Sequence, residues 1–253
     1  MNNQSNLITV MAHEATPKTK GNKLLFPPLT CELAASTLTC LVGPYRSQLR
    51  DYLLMLAGIF KPTAGKVEVF GNLTSELNQH QWQKLRSQIG YLSGMAPLQS
   101  TQHGLMNVML PALYHANYSF QETAHRARTL LIELNCQFEF TCFPAQLNSF
   151  EKAQITLARA LILDPDLLIL DVPFNGLGAK ERENMGALLG LSQQHRAICM
   201  IGGLQHPHFL ETYADHIIFI SEHKIINFDG WEAFIQSENP DVQELLSFIV
   251  ERK

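Results

Sequence analysis

Charge is scarce in this sequence: Asp, Glu, Lys and Arg make up 17% of its 253 residues, with 19 basic against 23 acidic side chains. The net charge of -4 excludes a bulk electrostatic grip on DNA or RNA, so no nucleic-acid partner is expected. Long hydrophobic runs are also missing. No stretch approaches the roughly 18–20 apolar residues of a spanning helix. Yet 46% of the chain is apolar, which excludes disorder as the main state. The polar start Met1–Asn6 lacks a basic stretch ahead of an apolar block and is not a secretory signal. The five cysteines are Cys31, Cys40, Cys136, Cys142 and Cys199, an odd number with no C-x-x-C pair. A disulfide framework or zinc site is therefore not expected; buried thiols in a reducing compartment are. The chain is expected to be soluble and cytoplasmic.

What is present is an alternation of short apolar runs and longer helical patterns. Leu38–Val42 is a buried strand ending at Gly43-Pro44, followed by a helix over 48–57 that Gly58 stops. Lys66–Phe70 alternates as a half-exposed strand, and Ile89–Leu92 is another. Helices are expected over 121–134, with Ala124, Ala127, Leu130, Leu131 and Leu134 on one stripe, and over about 149–163. Leu167–Asp171, Ala197–Ile201 and Ile217–Ile220 read as buried strands, 179–194 as a helix, and the tail from 229 as mostly helical. Strands alternating with helices predict an α/β layered fold with a mainly parallel sheet. No repeat or linker divides the chain, so one unit over 1–253 with a helical insertion is expected.

Leu41-Val42-Gly43-Pro44-Tyr45-Arg46-Ser47-Gln48-Leu49-Arg50-Asp51 sits where a strand–turn–helix phosphate loop would. With Leu53–Gly58 and Lys61–Val67 it resembles the nucleotide-binding subunits of ABC transporters. Four further segments agree in order and spacing. Ile89-Gly90-Tyr91 precedes the family's Q-loop, Leu147–Leu161 is similar to its signature helix, Leu167–Pro173 to its Walker B strand, and Ala214-Asp215 to the element after its switch histidine. The resemblance implies a P-loop NTPase core of RecA type with a mixed, mainly parallel sheet. It also implies an antiparallel β subdomain, a helical subdomain near 95–160 and a helical tail at 230–253.

The same register shows which chemistry is missing. A working loop reads G-x-x-x-x-G-K-S/T: glycines let backbone N–H groups curl round phosphates, the lysine neutralises them, and the hydroxyl binds magnesium. Here Gly43 is kept, but the later positions hold Gln48, Leu49, Arg50 and Asp51, and Arg46 replaces a further glycine. The aromatic that would stack on the base belongs near Thr19-Lys20, and none is there. The Q-loop glutamine position is Gly94, and the signature pentapeptide is Leu147-Asn148-Ser149-Phe150-Glu151. Walker B keeps Asp171, with Val172 at the catalytic glutamate position. The D-loop segment Asn175–Gly178 has Gly178 for aspartate, and Gln205 takes the switch-histidine position with His206 next to it. Removing one preorganised donor commonly costs about 100- to 1000-fold in rate. Losses at Leu49, Val172 and Gln205 together imply a pseudo-ATPase with no intact catalytic residue, no metal site and no tightly bound cofactor. ATP with magnesium is expected to bind weakly at best.

The tail, Gly230–Phe234 and Ser237–Leu246, resembles the Mla-type ATPase subunits of MCE lipid transporters, as does Asn107-Val108-Met109-Leu110-Pro111. Lipoprotein-release and macrolide-type cassettes share that Asn-Val-x-x-Pro feature. The resemblance implies a subunit at the cytoplasmic face of the inner membrane. Its partners would be a permease, an MCE-type complex and an active ATPase subunit with which it pairs. Two alternatives stay open: a regulatory scaffold built on the same fold, and a weak residual ATPase. Cassettes pair head to tail, so a partner's ATP would meet Asn148-Ser149-Phe150 instead of Ser-Gly-Gly. Asn148 could donate there, but Phe150 adds bulk.

Several residues have competing readings. Arg50 either pairs with Asp171 inside the vacated site or points to solvent. Arg46 and Arg50 could hold a phosphate without magnesium. His206 and His208 have no third ligand nearby in sequence and read as a surface turn. Met95, Leu98, Leu105, Met106, Leu110, Leu113, Tyr114, Tyr118 and Phe120 form an apolar, aromatic stretch, in the region that docks on the permease in the family. Packing of a helical subdomain accounts for at least half of them. Trp231 and Phe234 are expected to pack the tail onto the core.

Overall fold

Strands buried on both faces have no polar side to show, so they read as unbroken apolar runs. In the computed structural model, which describes residues 8–18, 26–94, 97–115 and 118–250, the fold is built round such strands. The elements are β1 (Ile8–Thr16), β2 (Leu29–Ala34), β3 (Leu38–Val42), α1 (Arg46–Leu56), β4 (Ala64–Val69), β5 (Asn72–Leu73), α2 (Gln79–Arg86), β6 (Ile89–Ser93), α3 (Gly104–His115), α4 (Phe120–Glu133), α5 (Ser149–Leu161), β7 (Leu167–Asp171), α6 (Ala179–Gln193), β8 (Ala197–Ile201), α7 (Pro207–Tyr213), β9 (His216–Ile220), β10 (Ile225–Phe228), α8 (Gly230–Ile235) and α9 (Pro240–Val250). They fall into two compact units, one of residues 1–77 with 193–253, the other of residues 78–192.

In the first unit, β3 pairs in parallel with β8 and β9, and β10 closes antiparallel on β9. Every residue of β3 and β8 is buried. A separate antiparallel sheet has the order β2-β1-β4-β5. In β1 the burial pattern alternates only from Val10 to His13, between two register shifts, and within the second Glu14 turns left-handed at φ 47° opposite Gly65. A Cβ on Gly65 would lie 2.0 Å from the Glu14 carbonyl oxygen, so only glycine fits this bulge. Phe234 of α8 is fully buried, with Phe228 and Trp231 ringed round it at 5.5 and 5.8 Å. That packing is the role expected of the aromatic tail.

In the second unit β6 and β7 pair in parallel, with Ser93 opposite Asp171. α4 buries Ala124, Ala127, Leu131 and, just past its end, Leu134. The helical segment expected near 95–160 is α3 to α5, inside this larger unit. No helix among the described residues is long and apolar enough to cross a membrane. All five cysteines are free, with Cys31, Cys40 and Cys199 buried. Burial pushes the Cys31 and Cys40 thiols up to about 12.

Candidate functional site

The phosphate-loop segment belongs to the first unit. Gly43 leaves β3 so close to the end of β9 that a Cβ would sit 2.1 Å from the Ile220 carbonyl oxygen. The chain then turns directly into helix. α1 starts at Arg46, two residues before the start expected at 48. The reason is conformational: no residue from 43 to 51 takes a positive φ, and Arg46, Ser47 and Gln48 are all compatible with ordinary helix. The Leu49 amide donates to the Tyr45 carbonyl at 3.1 Å and closes the first turn.

Leu49, at the lysine position, faces inward and is 5% exposed. Its Cδ2 lies 3.3 Å from where a Gly43 Cβ would stand. Gln48, at the second glycine position, is fully buried and donates through Nε2 to the Ser221 carbonyl at 3.3 Å. Arg46, Ser47 and Arg50 are exposed. Leu49 thus offers no charge and Arg50 no metal-ligating oxygen, so these side chains do not fit a magnesium–triphosphate. Tyr45 gives α1 no side-chain cap, and the first turn holds no acidic residue. Pro44 and Tyr45 border a cleft of about 420 Å³ whose rim carries Glu222, Asp241 and Glu244. Lys224 pairs with Asp241 at 2.8 Å. That leaves the rim acidic, which repels phosphate.

The Walker B, Q-loop, signature and D-loop positions belong to the second unit. Asp171 ends β7 and is 1% exposed. Its Oδ2 accepts a hydrogen bond from the Tyr91 hydroxyl at 3.1 Å. Sequence reasoning missed Tyr91; the signal lies in the parallel β6–β7 register, which sets Tyr91 beside Ile169 and so within reach of Asp171, 80 positions away. Val172 follows in the left-handed region at φ 50°, buried to 1% exposure, a costly backbone state for a β-branched residue. The Gly94 amide donates to the Asp171 carbonyl at 2.9 Å, and a Cβ on Gly94 would lie 2.2 Å from the Val172 carbonyl oxygen. The Asn175 amide donates to that same carbonyl at 3.1 Å. The Q-loop, Walker B and D-loop positions are therefore knitted together by backbone contacts.

At the signature position, Leu147 is buried and Phe150 half-buried. Asn148 and Glu151 form a capping box at the start of α5. The Glu151 amide donates to Asn148 Oδ1 at 2.9 Å, and the Asn148 amide to Glu151 Oε2 at 2.8 Å. The Asn148 side chain is committed through that oxygen to its own helix. Gly178 at the D-loop position donates its amide to Glu181 Oε2 at 2.7 Å and so opens α6. Gly94, Ser149, Lys152 and Asn175 meet at one cleft of about 500 Å³, with Leu98 on its wall.

Of the apolar stretch, Met95 lies outside the described residues, as does the Thr19-Lys20 position. Leu105 is buried, and Leu98, Met106, Leu110 and Leu113 are half-buried. Tyr114, Tyr118 and Phe120 are exposed, with the Arg126 guanidinium 4.2 Å from the Tyr118 ring. Asn107, fully buried, explains the Asn-Val-x-x-Pro feature physically. Its Oδ1 accepts from the Gln99 amide at 2.8 Å and its Nδ2 donates to the carbonyls of Gln99, Gln102 and His103. It clasps the loop that follows the Q-loop position. In the first unit, Gln205 is exposed at the end of a short 3-10 turn that follows left-handed Gly202. His206 stacks on Phe209 at 6.2 Å, and His208 meets Glu211 at 3.3 Å on the surface.

Comparison with known proteins converges on one family. The family model for ABC transporters matches residues 51–175. The energy-coupling factor transporter ATP-binding protein EcfA2 of Leuconostoc mesenteroides is 24% identical over 76% of this chain, which spans 66% of that protein. The lipoprotein-releasing system ATP-binding protein LolD of Chromohalobacter salexigens is 26% identical over 78% of this chain and 83% of its own length. The intermembrane phospholipid transport system ATP-binding protein MlaF of Haemophilus influenzae is 22% identical over 90% of this chain and 86% of its own. Among solved structures, cbiO1 of Clostridium perfringens, part of an ABC transporter complex, superposes with a TM-score of 0.76 at 17% identity, covering 97% of this chain and 96% of that one. A dimeric bacterial ABC transporter cassette superposes with a TM-score of 0.73 at 21% identity, covering 86% and 97%. The mixed α/β architecture is that of these cassettes, and the chain belongs to the ABC transporter ATP-binding cassette family.

Proposed function

We propose that this chain is a cassette subunit of a bacterial envelope ABC transporter that has given up ATP hydrolysis. It would dock on a membrane permease, pair with an active cassette, and serve phospholipid transport of the Mla/MCE type. The observation that carries the reading is the filled phosphate loop. Leu49 and Gln48 pack inward where a lysine and a glycine would otherwise receive phosphate. Phosphoryl transfer depends on positioned charge and metal, and the side chains from Gly43 to Asp51 supply neither the lysine nor the magnesium hydroxyl. Val172 supports the same reading, because a buried hydrocarbon cannot polarise water. The relatives named for phospholipid and lipoprotein transport support the envelope assignment. The clasped loop at Asn107 and the cleft behind Gly94 offer the permease a preformed surface.

Two measurements test this. Calorimetry with ATP and magnesium should show no saturable binding and the isolated chain no turnover; turnover abolished by Asp171→Asn would sink the proposal. Affinity purification from the native membrane should bring down a permease and a second, intact cassette; recovery of the chain without either would favour the scaffold reading. One observation favours a second reading, metal-free anion binding: α1 has an uncapped N-terminus flanked by exposed Arg46 and Arg50. Pyrophosphate binding without magnesium, lost in Arg46→Ala, would support it.

A further inference from the structure

The start of β3 lies at the end of the strand opposite the phosphate loop, about 13 Å from Val42 at four residues of strand rise. Here the first unit holds a second cleft, of about 430 Å³, bordered by β2, β3, β9 and β10. Its size is within the range that takes a small organic ligand. Thr39 contributes to its lining and sits directly beside His216 in the β3–β9 register. Thr39 is 1% exposed, and its hydroxyl has no hydrogen-bond partner among the described residues. A buried hydroxyl left unsatisfied is costly, and native structures seldom keep one without a reason.

The rest of the lining has a definite chemistry. Glu32 and Asp229 bring two carboxylates, and neither pairs with a lysine or arginine among the described residues. Asp229 faces the His216 imidazole, at 3.6 Å. Asn227, opposite Ile218 in the β9–β10 register, adds a carboxamide. Ile8, Ile218 and Phe228 supply the apolar wall. Two carboxylates at the mouth select a cation. A short apolar wall selects an alkyl body. A partnerless hydroxyl in the lining selects a ligand with a second hydrogen-bonding group beyond that body.

The geometry points to a binding site for a small protonated amino alcohol, separate from the nucleotide segments. The ammonium faces Glu32 and Asp229, the alkyl chain lies along Ile218 and Phe228, and the ligand hydroxyl exchanges a hydrogen bond with Thr39. No covalent step is involved.

The test uses the full chain with 4-amino-1-butanol as the probe, followed by calorimetry and amide NMR. Saturable binding below about 50 mM is expected, with shifts at Thr39, His216 and Asn227. Butylamine, which lacks the hydroxyl, should bind about fivefold more weakly, and 1-butanol should not bind. Thr39→Val should lower 4-amino-1-butanol affinity to the butylamine level and leave butylamine unchanged. Because it removes an unsatisfied hydroxyl, it should not lower stability in urea. Glu32→Gln should weaken both amines and reduce the salt dependence of binding. Absence of saturation, or unchanged 4-amino-1-butanol affinity in Thr39→Val, overturns the proposal. So does a clear stability loss in that variant, since it would mean the hydroxyl already has a partner in solution.

Discussion

Two helices start where the family places its phosphate-facing segments, and their N-termini are arranged in opposite ways. α5 has closed its own N-terminus: Asn148 and Glu151 satisfy each other's amides, and Glu151 adds a negative charge to the first turn. α1 has done the reverse. Tyr45 leaves its end without a side-chain cap, but Leu49 and Gln48 have turned inward and filled the loop. A helix N-terminus attracts anions through exposed amides and the macrodipole. The lesson is that this attraction can be removed by satisfying the amides or by filling the space before them.

The largest expected effect comes from buried thiols in both units, since burial also pushes Cys136 of the second up to about 12. The first holds Cys31 and Cys40, both raised from 9 to about 12 by burial. A raised folded-state value means the unfolded chain loses its protons first as pH climbs. Stability is therefore complete below pH 9 and falls from there to about 12. The loss should be about 1 kcal/mol per thiol per pH unit. Urea melts at stepped pH should show it, and Cys40→Ala should flatten the curve. Next, Leu49→Ala should cost about 2–4 kcal/mol as a buried side chain is lost. An effect near zero in chemical denaturation would mean Leu49 does not fill the loop, and the contrast with α5 would break. Asn148→Ala should cost about 1 kcal/mol and speed hydrogen exchange at the Glu151 amide. Glu151→Gln should be the smallest change, about 0.5 kcal/mol, because the amide oxygen can still accept while the charge at the helix start is gone.

The parallel strands were legible because burial on both faces leaves a continuous apolar run; β7 and β8 have the ends the sequence predicts. β1 was not read as a strand, since its bulge at Glu14 breaks the alternation. α2 escaped because only Trp82 and Leu85 of its eight residues are buried. α3 carries Pro111 inside it, which ordinarily argues against helix. The motif positions were legible one by one, because each is a residue type. Their mutual contacts were not: the Tyr91–Asp171 hydrogen bond and the tight approach of Gly94 to Val172 depend on strand register and backbone path.

That approach makes the two positions interdependent. A glutamine at 94 would thrust its Cβ into the Val172 carbonyl, only 2.2 Å away. A glutamate at 172 would inherit the left-handed backbone that Val172 now occupies. The two positions are thus coupled through one peptide: Gly94→Gln could be accommodated only if the Val172 carbonyl moved aside, and moving it would disturb the turn at 172 as well.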